Sequence, residues 1–127
     1  MTNTFPILGL DFGTVRVGVA IARTSLAEPY RILSAGDQLI AQIRDICHQE
    51  QITSIVVGES EGQMAILSRQ FGNQLQSTLN LPVVFFDETL TSHDSQLKLR
   101  QIGKKVRHID QYAACEMLQS YIDTIDR

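Results

Sequence analysis

The stretch Ile7-Leu-Gly-Leu-Asp-Phe-Gly-Thr-Val-Arg-Val-Gly-Val-Ala-Ile-Ala22 constrains the fold of this chain more than any other. Two apolar runs of strand composition are separated by a short segment holding one carboxylate, Asp11, and one glycine, Gly13. Such a pair reads as a β-hairpin. Asp11 then stands where the first strand leaves the sheet, directly after residues that belong in a core. A turn aspartate bonding nearby backbone N–H groups would account for it. So would a metal or phosphate role. The hairpin alone does not choose between them.

The elements that follow have a readable order. A third strand is expected around Tyr30–Leu33, bounded by Pro29 and by Ser34-Ala-Gly. Asp37 is placed to cap a helix whose apolar stripe is Leu39, Ile40, Ile43, Ile46 and Cys47. The unbroken Ile-Val-Val run predicts a fourth strand over Thr53–Val57, covered on both faces. Gly58-Glu-Ser-Glu-Gly62 reads as a loop. Met64, Leu67, Phe71, Leu75 and Leu79 recur at helical intervals until Asn80-Leu-Pro82 stops the helix. A fifth strand is expected at Val83–Phe86, then a helix from Thr89 to about Ile102. The last helix starts near Asp110, with Ala114, Cys115, Leu118, Tyr121, Ile122 and Ile125 on one face. The order β-β-β-α-β-α-β-α-α implies an α/β fold: a five-stranded mixed sheet with helices on both faces. With a helical crossover from strand 3 to strand 4, strands 1, 4 and 5 are parallel. Their C-terminal ends then share the rim where open α/β sheets place ligands.

Acids collect at that rim. Strand 1 ends in Asp11, strand 4 is followed by Glu59 and Glu61, and strand 5 ends in Asp87 and Glu88. Asp110 continues the apolar stripe of the last helix backwards by one turn, toward the sheet edge. Each acid has an ordinary explanation, Asp110 as a helix cap and Glu59 as a loop acid among them. Together they repel by about 4 kcal/mol per pair at 4 Å and an effective dielectric near 20. Protonation or a divalent cation relieves that repulsion. An oxygen-only ligand set suits Mg²⁺ or Mn²⁺. Such an ion would acidify a water and screen charge on a phosphodiester.

At 127 residues the chain is long enough for one domain with a core, spanning 1–127. No apolar run reaches membrane-spanning length and no secretory pattern opens the chain, so a cytoplasmic protein is expected. Cys47 and Cys115 read as small buried hydrophobes. The net charge of −3 excludes a generally basic protein that coats nucleic acid. It leaves room for a nuclease, which needs acidic ligands and only a local basic surface.

Leu8-Gly-Leu-Asp-Phe-Gly-Thr with Gly18-Val-Ala, then Asp87-Glu-Thr-Leu-Thr-Ser92, then Ile109-Asp-Gln-Tyr-Ala-Ala114 with Leu118-Gln-Ser-Tyr resemble the three signature blocks of the YqgF/RuvX family. These are Holliday-junction-resolvase-like proteins of the ribonuclease H-like fold, to which maturation of 16S ribosomal RNA is ascribed. The resemblance covers nearly the whole chain, and the three blocks together are specific. It implies a ribonuclease H-like domain and a phosphodiesterase dependent on Mg²⁺ or Mn²⁺, with Asp11, Glu88 and Asp110 as catalytic metal ligands. Glu59 and Asp87 are further candidate ligands. The implied substrate is precursor rRNA ahead of branched DNA, the implied partners include ribosomal particles, and the state is a monomer or homodimer. Where many members have Gly-Leu-Pro after strand 4, this chain has Gly58-Glu59-Ser60.

From Lys98 to His108 the chain carries Lys98, Arg100, Lys104, Lys105 and Arg107 with no acid, five of its eleven Lys and Arg residues. The run leads into Asp110. Lys104, Lys105 and Arg107 are therefore candidates for phosphate contact. Gly13, Thr14 and Arg16 in the first hairpin are others. No aromatic-rich stacking surface is visible, which argues against sequence-specific reading of single strands. Two competing readings remain: a half of an actin/Hsp70-type ATPase, suggested by Asp-Phe-Gly-Thr, and a non-catalytic factor that binds precursor rRNA.

Overall fold

Strand β1 (Ile7–Phe12) pairs antiparallel with β2 (Arg16–Ala22), which pairs antiparallel with β3 (Ala27–Ser34). On its other side β1 runs parallel to β4 (Ser54–Glu59), and β4 runs parallel to β5 (Val83–Asp87). The sheet order is β3-β2-β1-β4-β5. The helices among the described residues are α1 (Leu39–Glu50), α2 (Gly62–Leu79) and α3 (Ile109–Ile125). This computed structural model describes residues 5–59, 62–87 and 109–125, and side chains at all of these except 109–111. The expected helix over 89–102 and the basic connector after it lie outside the described residues.

Successive strand residues point to opposite faces, so the pleat sorts the core into two halves. Leu8, Leu10, Val17, Val19, Ile55 and Val57 pack under α1 and α2, with Ile43, Ile46, Phe71 and Leu75. Ile7, Ala20, Val56 and Phe86 pack under α3, with Ala114, Met117, Leu118 and Ile122. β1 and β4 are therefore apolar on both faces, which is why their sequences read as continuous runs. Gly9 lies on the α3 side, where an added Cβ would stand 2.9 Å from the Leu118 Cβ. A side chain there would push the helix off the sheet.

Several expectations shift at their edges. β3 begins at Ala27 and includes Pro29, which an edge strand tolerates because its outward N–H needs no ladder partner. A register shift between Val19 and Ala20 accommodates it. The N-cap of α1 is Gln38, in helical conformation and without a side-chain bond, so Asp37 does not cap this helix. Gly58 and Glu59 belong to β4, paired with Phe86 and Asp87 of β5, and not to a loop. On α2 the buried line is Ser68, Phe71, Gly72 and Leu75, while Leu67 is exposed. On α3 the periodic reading omitted Met117, which is buried, and included Ile125, which is exposed. Asn80 ends α2 in a left-handed conformation, φ 57°, as its place before Leu-Pro suggested. Among the described residues no helix is long and apolar enough to cross a membrane.

Candidate functional site

Asp11 is the penultimate residue of β1, half-buried, at the C-terminal end of the central strand. The alternation that sends Leu10 and Phe12 under α1 and α2 sends Asp11 to the α3 side, with Ile7 and Gly9. Its cross-strand partner on β2 is Gly18. The parallel register pairs Leu10 with Val57, and carried one residue further it sets Gly58 of β4 beside Asp11. The register neighbours of Asp11 on both adjoining strands are therefore glycines. Arg16, exposed, is two residues from Gly18 on β2 and so shares the face of Asp11.

The direction of α3 is fixed by its contacts with the β2–β3 turn. The Cys115 thiol donates to the Ala27 carbonyl at 3.4 Å. One turn later the Gln119 side chain accepts from the Ala27 N–H at 2.8 Å and donates to the Ser25 carbonyl at 3.0 Å. The helix therefore descends toward the β2–β3 turn, and its N-terminal end points to the opposite end of the sheet, where β1 finishes. Asp110 is the second residue of that helix. Gln119, part of the third signature block, thus has a structural role, since its amide holds the hairpin turn.

The other acids go elsewhere. Glu59 and Asp87 are register partners at the ends of β4 and β5, on the side of α1 and α2. Glu59 is held by Arg69 of α2, which donates from Nε at 2.9 Å and from Nη2, both to Oε2. The Arg69 guanidinium also lies 4.5 Å from the centre of the Phe85 ring. The pleat thus divides the rim acids: Asp11 lies on one face, Glu59 and Asp87 on the other. Glu88, Lys104, Lys105 and Arg107 lie outside the described residues. Among the described residues no group of three His, Cys, Asp or Glu side chains converges as a metal cage would require. The carboxylate of Asp11 is the oxygen donor a hard cation takes, and the Cys115 thiol on the same sheet face is turned to the Ala27 carbonyl. Cys47 is buried among the core residues under α1, Cys115 lies on the α3 side, and both are free.

Gly13, Thr14 and Val15 form the turn between β1 and β2. A Cβ at Gly13 would meet the Arg16 carbonyl oxygen at 2.6 Å, so glycine is required by the turn itself. Sequence inspection did not single out Arg69. Its ten-residue separation from Glu59 spans a strand end and a helix start, and no local periodicity links them.

The RuvX Holliday junction resolvase family matches residues 6–124. The chain belongs to the RuvX family. A relative from Thermosynechococcus vestitus, named "Putative pre-16S rRNA nuclease", is 35% identical over 92% of this chain and 87% of its own length. One of the same name from Chloroflexus aurantiacus is 37% identical over 92% of this chain and 86% of its own. Among solved structures, Thermus thermophilus RuvC in complex with a Holliday junction substrate has a TM-score of 0.57 at 13% identity, covering 93% of this chain and 94% of that one. Fowlpox virus resolvase with Holliday junction DNA has a TM-score of 0.59 at 13% identity, covering 97% and 100%. At such identity these two establish the fold, a resolvase-like ribonuclease H fold, as the family resemblance had implied.

Proposed function

We propose that this RuvX-family protein hydrolyses nucleic-acid phosphodiesters with Mg²⁺ or Mn²⁺, in processing the 5′ end of pre-16S rRNA. The observation that carries the reading is the placement of Asp11. It sits at the end of the central strand between two glycine positions, on the face whose helix directs its N-terminal end, with Asp110, to the same rim. Asp11, Glu88 and Asp110 would hold the ion. Asp87 faces the α2 side, away from Asp11, so Glu88, the acid to which the family pattern points, is the one proposed as ligand. Glu59 is excluded from the proposed set because Arg69 occupies it.

The ion supplies Lewis acidity toward the phosphodiester and a lowered pKa for a coordinated water. The carboxylates would hold the ion, and the glycines at positions 18 and 58 add no side chain beside Asp11 in the sheet register. Arg16, on the same face, and Lys104, Lys105 and Arg107 of the basic run would take substrate phosphates. Substrate affinity then falls steeply with salt as counterions compete for the phosphates. The name of the relatives, "Putative pre-16S rRNA nuclease", supports precursor rRNA as substrate; action in the cytoplasm and ribosomal particles as partners belong to the same proposal.

The test is cleavage of precursor 16S rRNA and of four-way DNA junctions, with and without Mn²⁺, beside Asp11→Asn. Cleavage of the rRNA that requires Mn²⁺ and is lost in Asp11→Asn is expected. Activity that survives the substitution would overturn the metal site. Junction cleavage alone would transfer the activity to branched DNA, and binding without cleavage would make the protein an assembly factor.

A further inference from the structure

On the sheet face opposite α3, a groove of about 600 Å³ lies between α1 and α2 and opens at the end of β1. Phe12 and Phe71 form part of its wall: the buried Phe71 ring backs the half-buried Phe12 ring, centroids 4.6 Å apart and planes at 27°, so Phe12 is the ring open to the groove. Phe12 immediately follows Asp11, so the groove begins across the strand end from the proposed metal site. Gln70 and Gln74 stand exposed along the α2 side, one turn apart, and each amide offers two donors and an acceptor. Facing them is Gly36, where an added Cβ would meet nothing within 4 Å, so that side is low and open. Among the described lining residues the charged one is Asp37, and no Lys or Arg is present.

Aromatic rings, paired amides and no cation are poor chemistry for a phosphate. They are the chemistry by which unstacked bases are held: a π-face for stacking and amide groups for base edges. We propose that this groove takes an unstacked nucleobase of the bound polynucleotide, a subsite that favours single-stranded over fully paired substrate. The proposal rests on the nucleic-acid reading above and extends it. A backbone lying along the rim past Asp11 has only the width of one strand end to cross before a base reaches Phe12. The two rings come from β1 and the middle of α2, fifty-nine positions apart in the chain, so Phe12 gains the ring that backs it only once the sheet is assembled.

The experiment uses the full chain in chelator, so that binding is read without cleavage. Affinities for a single-stranded RNA and for the same sequence as a duplex are measured by fluorescence anisotropy. The proteins are wild type and the Gln70→Ala/Gln74→Ala variant, whose exposed changes leave the core intact. The double variant is expected to lose about five- to tenfold in affinity for the single strand and little for the duplex. An abasic nucleotide scanned along the strand should weaken wild type at one position and leave the variant unaffected there. Photocrosslinking of 4-thiouridine RNA should label the peptide containing Phe12. If RNA binds but the variant matches wild type and crosslinks fall elsewhere, the groove is overturned while the nucleic-acid reading stands. If wild type binds neither RNA, both fail.

Discussion

Arg69 donates two hydrogen bonds to a single oxygen of Glu59 and rests its guanidinium on the ring of Phe85. The arrangement neutralises an acid at the end of β4 and ties α2 to the edge of the sheet. It also separates two carboxylates, Glu59 and Asp11, that the linear sequence presents as equivalent.

Replacing Arg69 by Ala should therefore cost more than replacing Glu59 by Gln. Arg69→Ala loses both the charged hydrogen bonds and the ring contact, about 1–2 kcal/mol together. Glu59→Gln retains a hydrogen-bond acceptor, and the pair is half-exposed on the arginine side, so the loss stays below about 1 kcal/mol. Urea unfolding measures both. Cleavage by Glu59→Gln should remain near wild type; its abolition in a folded variant would return Glu59 to the ligand set.

Gly9→Ala should destabilise the protein by about 1–3 kcal/mol, because the new methyl group would stand 2.9 Å from the Leu118 Cβ. Part of the cost should vanish in the Gly9→Ala/Leu118→Ala pair, because the second change removes the Leu118 Cδ2 and Cγ atoms at 3.1 and 3.3 Å and leaves the Cβ contact, giving a combined loss smaller than the sum of the two. Additive losses would show that the outer atoms of Leu118 do not press on position 9. Since α3 also carries Asp110, the single variant should bind Mn²⁺ more weakly than wild type.

Gln119→Ala removes the acceptor for the Ala27 N–H and the donor to the Ser25 carbonyl. The expected loss is about 1–2 kcal/mol, with faster amide hydrogen exchange at Ala27. Unchanged exchange at that amide would deny Gln119 its role in holding the turn.

Burial pushes the Cys47 thiol up to about 11. In the unfolded chain the thiol ionises near its ordinary value, so above that value unfolding releases a proton that the native state retains. The contribution is complete below the unfolded pKa and is lost as pH rises through the folded one, between about pH 8.5 and 11. Stability should fall over this window by on the order of 1–2 kcal/mol more in wild type than in Cys47→Ala. Parallel curves from pH 8 to 11 would contradict the assignment. Thiol reagents at pH 8 should modify the native protein slowly.

Some expectations needed little beyond local pattern. β1 and β2 were legible because apolar runs and an intervening glycine turn are local features, and β2 occupies Arg16–Ala22 as read. The parallel set β1, β4 and β5 followed from the order of elements, since crossovers permit few topologies. Ends were harder to read. β3 extends over Pro29 because an edge strand asks less of its backbone, and edges are properties of the sheet. The α2 stripe slipped from Leu67 to Ser68 because packing against Phe85 selects the buried line, and Gly72 sits against that ring.

By itself the sequence determined the class of fold, the strand that carries Asp11 and the family to which the blocks belong. Composition and spacing act through neighbours along the chain, and these features depend on nothing else. Only the tertiary structure decided which acids share a face, that Arg69 claims Glu59, and that Phe71 backs the ring of Phe12. The parity of a strand end is set by its register with neighbouring strands. A guanidinium or a ring finds its partner through a sheet assembled from segments tens of residues apart.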